Sequence, residues 1–384
     1  MNEKQILMIP GPTTIPQRVL HVLGSPAMGH RTDEFSAIIK DVTETMKEIY
    51  KTKNDLLLIS ASGTGSMEAA VANFISPGDK VVVMENGYFS NRWAEINKAF
   101  GAQVHNIEGV WGERADPKAL AEVMAADKNK EIKGVFVTFN ETSTGVTHDI
   151  PALRKACGDH PALFIVDAIS GMAVAPLETD AWDLDVVVSG SQKAFMLPPG
   201  LSFISVSAKA WAQHKACQSP AFYFSLTAAK DEYDKRSSTP YTPAANLIAG
   251  LQESLKMLME EGLESVQARH LGYREMVRAA VKAINLTPLA ADEYASTAIT
   301  SIVKPEGLEV KKIVNTMRDK YNIVIVGGQG KSSNDIFRIG HLGYVTKSDI
   351  LATIASLELT LKELGHPCQL GQGVAAVQEI MLKG

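Results

Sequence analysis

The lysine at position 193 has the most chemistry to offer in this chain. It follows an apolar run, Leu184-Asp185-Val186-Val187-Val188, that ends in the small polar residues Ser189-Gly190-Ser191-Gln192 before the amine appears. Asp167, 26 positions earlier, closes a second apolar run, Ala162-Leu163-Phe164-Ile165-Val166. Two buried-strand patterns therefore each deliver one charged side chain at a carboxyl end. Taken singly, each residue has an ordinary explanation: a solvated lysine, and an aspartate that caps the next helix. As a pair they suit a pyridine-ring cofactor, in which a lysine amine makes an imine with an aldehyde and a carboxylate keeps the ring nitrogen protonated.

Four further segments carry candidate chemistry. Leu57 to Ala70 reads as a strand, a glycine-rich turn and a helix, and helix-start amides with the hydroxyls of Ser62 and Thr64 make a site for a dianionic phosphate. A lone Gly63-Thr64-Gly65 also fits a plain tight turn. The third glycine of a dinucleotide fingerprint is missing, and Glu85 stands only near the spacing of its acidic partner, which weakens that reading without removing it. Phe139-Asn140-Glu141-Thr142-Ser143-Thr144-Gly145-Val146 offers a cluster of donors and acceptors, or a hydrogen-bonded turn. Asn86-Gly87-Tyr88-Phe89 brings two aromatic rings to a strand end, where one could stack on a flat cofactor or simply join the core. Arg338, inside the apolar Phe337-Arg338-Ile339-Gly340, is a candidate for gripping a carboxylate with two parallel hydrogen bonds, against a structural ion pair as the alternative. Gly327-Gly328-Gln329-Gly330-Lys331-Ser332-Ser333 resembles a nucleotide phosphate loop, but its first required glycine falls at Ile325, so it reads as a mobile turn near the site mouth.

These residues need a scaffold that brings strand ends together. From about residue 55 to residue 206, short apolar runs alternate with amphipathic stretches, the pattern of a mostly parallel sheet covered by helices. Strands are expected at Leu56 to Ile59, Lys80 to Met84, Gly134 to Phe139, Leu163 to Val166, Asp185 to Val188 and Ser202 to Val206, and open sheets of this kind bind ligands beyond the carboxyl ends of their strands. A threonine cap at Thr242 with Pro243 at the first helical position opens a long helix ending near Gly262, expected to bridge two domains. Beyond it come a helix to about Ile284, a strand around Ala298 to Val303, a helix Glu309 to Lys320, strands Asn322 to Val326 and Ile336 to Ile339, and a helix Ser348 to Leu364. The division is an N-terminal arm over 1–20, a large α/β domain over 21–255 and a smaller α+β domain over 256–384.

Composition sets outer limits. The chain has 384 residues, 45% of them hydrophobic, with 38 basic and 43 acidic residues spread along it for a net charge of −5. This is a globular composition with no basic surface for nucleic acid or anionic membrane. No apolar stretch reaches the ~20 residues of a membrane span, and no signal peptide is recognised. Cys157, Cys217 and Cys368 match neither a zinc spacing nor a disulfide framework, so no metal is expected and a reducing cytoplasm is.

Together, Pro10-Gly11-Pro12-Thr13, Gly29-His30-Arg31, Ser60 to Ala70, Glu141-Thr142-Ser143-Thr144-Gly145, Ser189-Gly190-Ser191-Gln192-Lys193-Ala194, Pro198-Pro199-Gly200 and Arg338-Ile339-Gly340 span nearly the whole chain. They resemble the class V aminotransferases of the fold-type I pyridoxal-phosphate enzymes, nearest the alanine-glyoxylate and serine-pyruvate (serine-glyoxylate) group. The resemblance implies a three-layer αβα large domain and pyridoxal 5'-phosphate as cofactor. It implies that Lys193 forms the imine and acts as base, that Asp167 pairs with the pyridinium nitrogen, and that Phe89 stacks on the ring. Ser62, Gly63, Thr64 and Gln192 would hold the phosphate, Thr142 would approach the ring hydroxyl, and Arg338 would bind the substrate carboxylate. It also implies a homodimer with shared active sites, with Thr239 reaching the partner's phosphate. Two departures stand out: Phe89 where animal-type relatives have tryptophan, and Arg236 where they have a tyrosine ahead of the threonine. The expected reaction passes an amino group from alanine or serine to glyoxylate or pyruvate. The competing readings are an aminoethylphosphonate-pyruvate aminotransferase, a cysteine desulfurase or lyase, and a cofactor-binding subunit without catalysis of its own.

Overall fold

The computed structural model describes residues 5–383. Along the first half run β1 (Ile6–Leu7), α1 (Gln17–Leu23), α2 (Asp33–Tyr50), β2 (Asp55–Ile59), α3 (Gly63–Phe74), β3 (Lys80–Glu85), α4 (Tyr88–Ala99), β4 (Gln103–Glu108) and α5 (Pro117–Ala126). Next come β5 (Ile132–Thr138), β6 (Asn140–Glu141), β7 (Val146–Thr147), α6 (Ile150–Ala156), β8 (Leu163–Asp167), β9 (Val186–Gly190), β10 (Ser202–Val206), α7 (Ala208–His214) and α8 (Leu226–Arg236). The remainder is α9 (Ala245–Glu261), α10 (Leu263–Ala283), β11 (Thr287–Pro288), β12 (Ile299–Val303), α11 (Val310–Tyr321), β13 (Ile323–Val324), β14 (Val326–Gly327), β15 (Ile336–Gly340), α12 (Lys347–Glu363) and α13 (Gln372–Met381).

The central sheet has seven strands in the order β2-β10-β9-β8-β5-β3-β4, all parallel except β10, which runs antiparallel to both neighbours. Its apolar runs are continuous because both faces are covered. Val81 and Val83 of β3 pack with α3 and α4, while Val82 and Met84 pack on the opposite core with α2 and α9; Leu163/Ile165 and Phe164/Val166 of β8 divide the same way. Burying each such side chain contributes about 1.5–3 kcal/mol. The result is the expected three-layer α/β arrangement.

A second core lies around the antiparallel sheet β11-β12-β15-β14, covered by α10, α11, α12 and α13. Several expectations change in detail. The long helix starts at Ala245 with Ala244 at its cap, rather than at Thr242-Pro243, because the Ala244 amide turns to donate to Ser60 Oγ at 3.3 Å. That helix packs wholly on the large core through Ile248, Leu251, Leu255 and Leu258; the passage between cores falls to α10, with Leu263 and Val266 in one and Met276 to Val281 facing the other. The strand expected from Asn322 to Val326 is two short strands. Ile323–Val324 pairs in parallel with Ile6–Leu7, and Val326–Gly327 joins β15. The polar strand β4 gave no apolar signal because it is the half-exposed edge of the sheet. Among the described residues no helix is long and apolar enough to cross a membrane.

Candidate active site

Strands β2, β3, β5, β8 and β9 all end at one edge of the sheet, since β2 and β9 run parallel to each other on either side of β10. Their following residues therefore meet. A cavity at this edge is lined by Gly63, Thr64, Phe89, Arg92, Asn140, Thr142, Asp167, Ile169, Ser170, Gln192 and Lys193. Seven of the sequence-predicted residues are among them. Ser62 sits just outside as the cap of α3, its side chain making no capping hydrogen bond.

The loop from β9 to β10 carries Lys193, and the N-terminal segment holds that loop. Lys193 Nζ donates to the Pro10 carbonyl at 2.5 Å, Thr13 Oγ1 donates to the Lys193 carbonyl at 2.9 Å, and the Thr13 amide donates to the Gln192 carbonyl at 3.2 Å. Gly11 lies between, with φ +134°; a Cβ there would stand 2.8 Å from both Cδ and Nζ of Lys193. Only glycine allows the backbone so near the amine.

Glu141, fully buried, organises the opposite wall. Its carboxylate accepts from the amides of Phe89 (3.3 Å) and Ser90 (2.8 Å) at the start of α4, and from the amide (3.1 Å) and hydroxyl (2.6 Å) of Ser143. A carboxylate on the first amides of a helix fills orphan donors and meets the positive end of the dipole. Glu141 thus fixes the helix that presents Phe89 to the cavity. On the same face of α4, Arg92 lies with its Cζ 4.9 Å from the Phe89 ring centre and donates through Nη1 to Thr64 Oγ1 at 3.0 Å.

Burial dominates the electrostatics. It pushes Asp167 up to about 7, with a smaller contribution in the opposite direction from the Ile169 amide, which donates to Oδ1 at 2.8 Å. No helix follows β8, so Asp167 is not a helix cap; its contact with the Ile169 amide closes a turn and keeps the carboxylate at the cavity. Burial also brings Lys193 down to about 8, against the attraction of Asp167. A desolvated lysine of this kind is a competent nucleophile and base near neutral pH.

Arg338 is buried but does not line that cavity. It donates through Nε to the Gly327 carbonyl (2.9 Å) and through Nη1 to the Thr142 carbonyl (2.9 Å) and Gln329 Oε1 (3.1 Å). It has no ion pair among these partners, and Nη2 has no hydrogen bond to a described residue, which leaves donor capacity for a carboxylate. The turn at Gly327 to Ser333 packs against the large unit, Gly330 lying beside Trp111 and Tyr88. Thr239 lies apart, donating to the Tyr241 carbonyl and lining surface hollows with Ser60 and Tyr241. Arg31 holds that segment by donating to Ser238 Oγ at 2.7 Å and the Pro240 carbonyl at 3.4 Å. Arg236 pairs with Glu232.

Sequence reasoning missed Arg92, Ile169 and Ser170 as cavity residues, and named Asn140 only as part of a polar cluster without a role. A signal existed for Arg92, three positions after Phe89 and so on the same helical face. None existed for Ser170, whose hydroxyl meets Asn140 at 2.9 Å only through the packing of β5 beside β8. Cys157 and Cys368 are buried, Cys217 is partly exposed, and all three are free. Among the described residues no group of three or more His, Cys, Asp and Glu side chains is arranged to hold a metal.

Comparison with known proteins agrees with this architecture. The family model described as Aminotransferase class-V matches residues 7–351. The chain is similar to the soluble hydrogenase 42 kDa subunit of Anabaena cylindrica (46% identity, 99% of both chains), to L-aspartate–glyoxylate aminotransferase of Paracoccus denitrificans (39%, 99% and 96%) and to serine–glyoxylate aminotransferase of Methylorubrum extorquens (38%, 98% and 95%). Among solved structures, ureidoglycine-glyoxylate aminotransferase from Bacillus subtilis superposes with a TM-score of 0.95 at 28% identity over 100% of this chain and 99% of that one. Alanine–glyoxylate aminotransferase from Nostoc sp. follows at 0.90 and 26%, over 94% and 96%.

Proposed function

The chain belongs to the class V aminotransferases, and from that premise we propose that it moves the amino group of alanine or serine to glyoxylate or pyruvate, with pyridoxal 5'-phosphate bound at Lys193. The observation that carries this reading is the single cavity shared by the Lys193 amine, the Asp167 carboxylate, the Phe89 ring and the Gly63-Thr64 start of α3. These residues fit the cofactor's parts. At the start of α3 the Gly65 amide donates to the Ser62 carbonyl at 2.8 Å, no side chain caps the helix and no acidic residue stands in its first turn, an arrangement that suits a phosphate on the leading amides. Gln192 lines the same cavity, and its side-chain NH2 is the end that would donate to a phosphate.

When bound, the cofactor supplies an aldehyde and an electron-withdrawing ring. Asp167 would hold a proton on the ring nitrogen, Phe89 would cover a ring face, Ser62, Gly63, Thr64 and Gln192 would bind the phosphate, and Thr142 would serve the ring hydroxyl. Arg338 orients the substrate by its α-carboxylate, and Lys193 Nζ, once free, takes the proton from the substrate α-carbon; a positioned base of this kind contributes ~10²–10⁴ in rate. Small donors are favoured by the relatives named for serine and alanine. The aspartate named for another relative makes the donor the first point to test. Cys368 is buried in the second core with its thiol pushed up by burial, which disfavours a desulfurase. We further propose a cytoplasmic homodimer in which Thr239, outside its own chain's cavity, serves the partner's phosphate.

A second reading, a subunit without turnover of its own, draws on the relative named as a hydrogenase subunit. One experiment addresses both. The purified chain is expected to be yellow, to fix its chromophore to Lys193 on borohydride reduction, and to turn over in a panel of amino donors against glyoxylate and pyruvate. A label on another lysine overturns the site, and a labelled protein without turnover in any pairing favours the subunit.

A further inference from the structure

The cavity's phosphate end holds more positive charge than the residues assigned to it account for. Arg92, half-buried on α4, faces the N-terminus of α3, and its described partners are the Thr64 hydroxyl and the rings of Phe89 (4.9 Å) and Tyr88 (5.5 Å). No carboxylate stands within 4 Å of it among the described residues; Asp167 feels its charge across the cavity without an ion pair, and Lys193 is a like charge there. A guanidinium drawn partly out of water beside a helix N-terminus is a like-signed pair that an anion relieves. The hydrogen bond to Thr64 adds direction. Because Arg92 Nη1 occupies an acceptor position of Oγ1, the threonine hydroxyl hydrogen is left to point to another acceptor.

We propose that Arg92 is a phosphate-binding residue of this site, acting both as the counter-charge to the anion at the start of α3 and as the group that turns the Thr64 hydroxyl toward it. This rests on the cofactor reading above. Arg92 also ties the phosphate end to the ring end, since the same side chain lies over Phe89, three positions away on one helical face. Removing it should therefore be felt through the phosphate first.

The test uses the full chain freed of cofactor, titrated with pyridoxal phosphate and, separately, with pyridoxal, which lacks the phosphate. Arg92→Gln is expected to weaken pyridoxal phosphate about 10- to 100-fold, the range of a charge-assisted hydrogen bond, while pyridoxal changes less than about twofold. Arg92→Lys should recover part of the loss. Inorganic phosphate should compete with pyridoxal phosphate in the wild type and far less in Arg92→Gln. In a Thr64→Val background, Arg92→Gln should cost less than in the wild type, which keeps the proposal open to test should one variant fold poorly. Equal weakening of both ligands overturns it, because Arg92 would then act by steadying Phe89; so does no weakening of either. A wild-type chain that binds neither ligand instead defeats the cofactor reading itself.

Discussion

Burial makes Lys193 reactive at ordinary pH. With the amine brought down to about 8, the protonated form prevails below that value and the nucleophilic form above it. We expect the rate at which cofactor-free protein captures pyridoxal phosphate to rise with pH about a midpoint near 8; a midpoint above 10 would mean that the amine is solvated. Arg338 makes a separate expectation. Its Nε and Nη1 donate to two carbonyls and one amide oxygen, with no anion among these partners and Nη2 left over. Arg338→Ala is expected to raise KM for amino acids by about 10-fold or more, the scale of a lost charge-assisted bond, with cofactor affinity little changed. An equal loss of both would make it a structural arginine that holds the Thr142 carbonyl.

At the scale of elements, the N-terminal segment and α4 do the positioning. β1 is tied to β13 of the smaller unit, yet a few residues later Pro10 and Thr13 grip the Lys193 loop of the larger one. The segment is a strap across the two cores. Its tightest point is Gly11, so Gly11→Ala should displace the lysine while leaving both cores intact. We expect at least a 10-fold slower capture of pyridoxal phosphate with a thermal midpoint within a few degrees of wild type; unchanged capture would show that the close approach is dispensable. Glu141 plays the matching part for α4 by capping the helix that bears Phe89 and Arg92.

Across the whole molecule, buried histidines set the acid limit. Burial holds His148, His270 and His341 each down to about 3. His148 accepts the Ala115 amide at 2.9 Å and His270 accepts the Gly343 amide at 3.0 Å, roles that need a neutral ring. An unfolded histidine protonates near 6.5, so below that pH the unfolded chain binds protons that the folded chain refuses. Their stabilising contribution is complete above about 6.5 and falls as the pH drops toward 3. Asp167, raised to about 7, works the other way, as one group against three. Denaturant melts should therefore lose stability steeply from pH 6 to pH 4, by up to about 4 kcal/mol per pH unit from the three rings alone. A flat profile over that window would contradict the buried neutral state.

The sequence by itself determined the layered α/β architecture, because continuous apolar strands and amphipathic helices leave few other ways to bury both faces of a sheet. It also singled out Lys193 and Asp167 as a pair by their strand-end positions, and the fold brings both to one cavity. Arg338 was readable as a binding candidate, an arginine within an apolar strand being costly without a use. The tertiary structure alone decided the rest. That Pro10 and Thr13 hold the lysine, that Glu141 caps α4, that Arg92 meets Thr64, and that α10 rather than α9 passes between the cores are contacts between distant segments. Such contacts have no periodicity to leave in a sequence; they arise when parallel strands bring their ends to one edge and the backbone closes around a charge that must be kept from water.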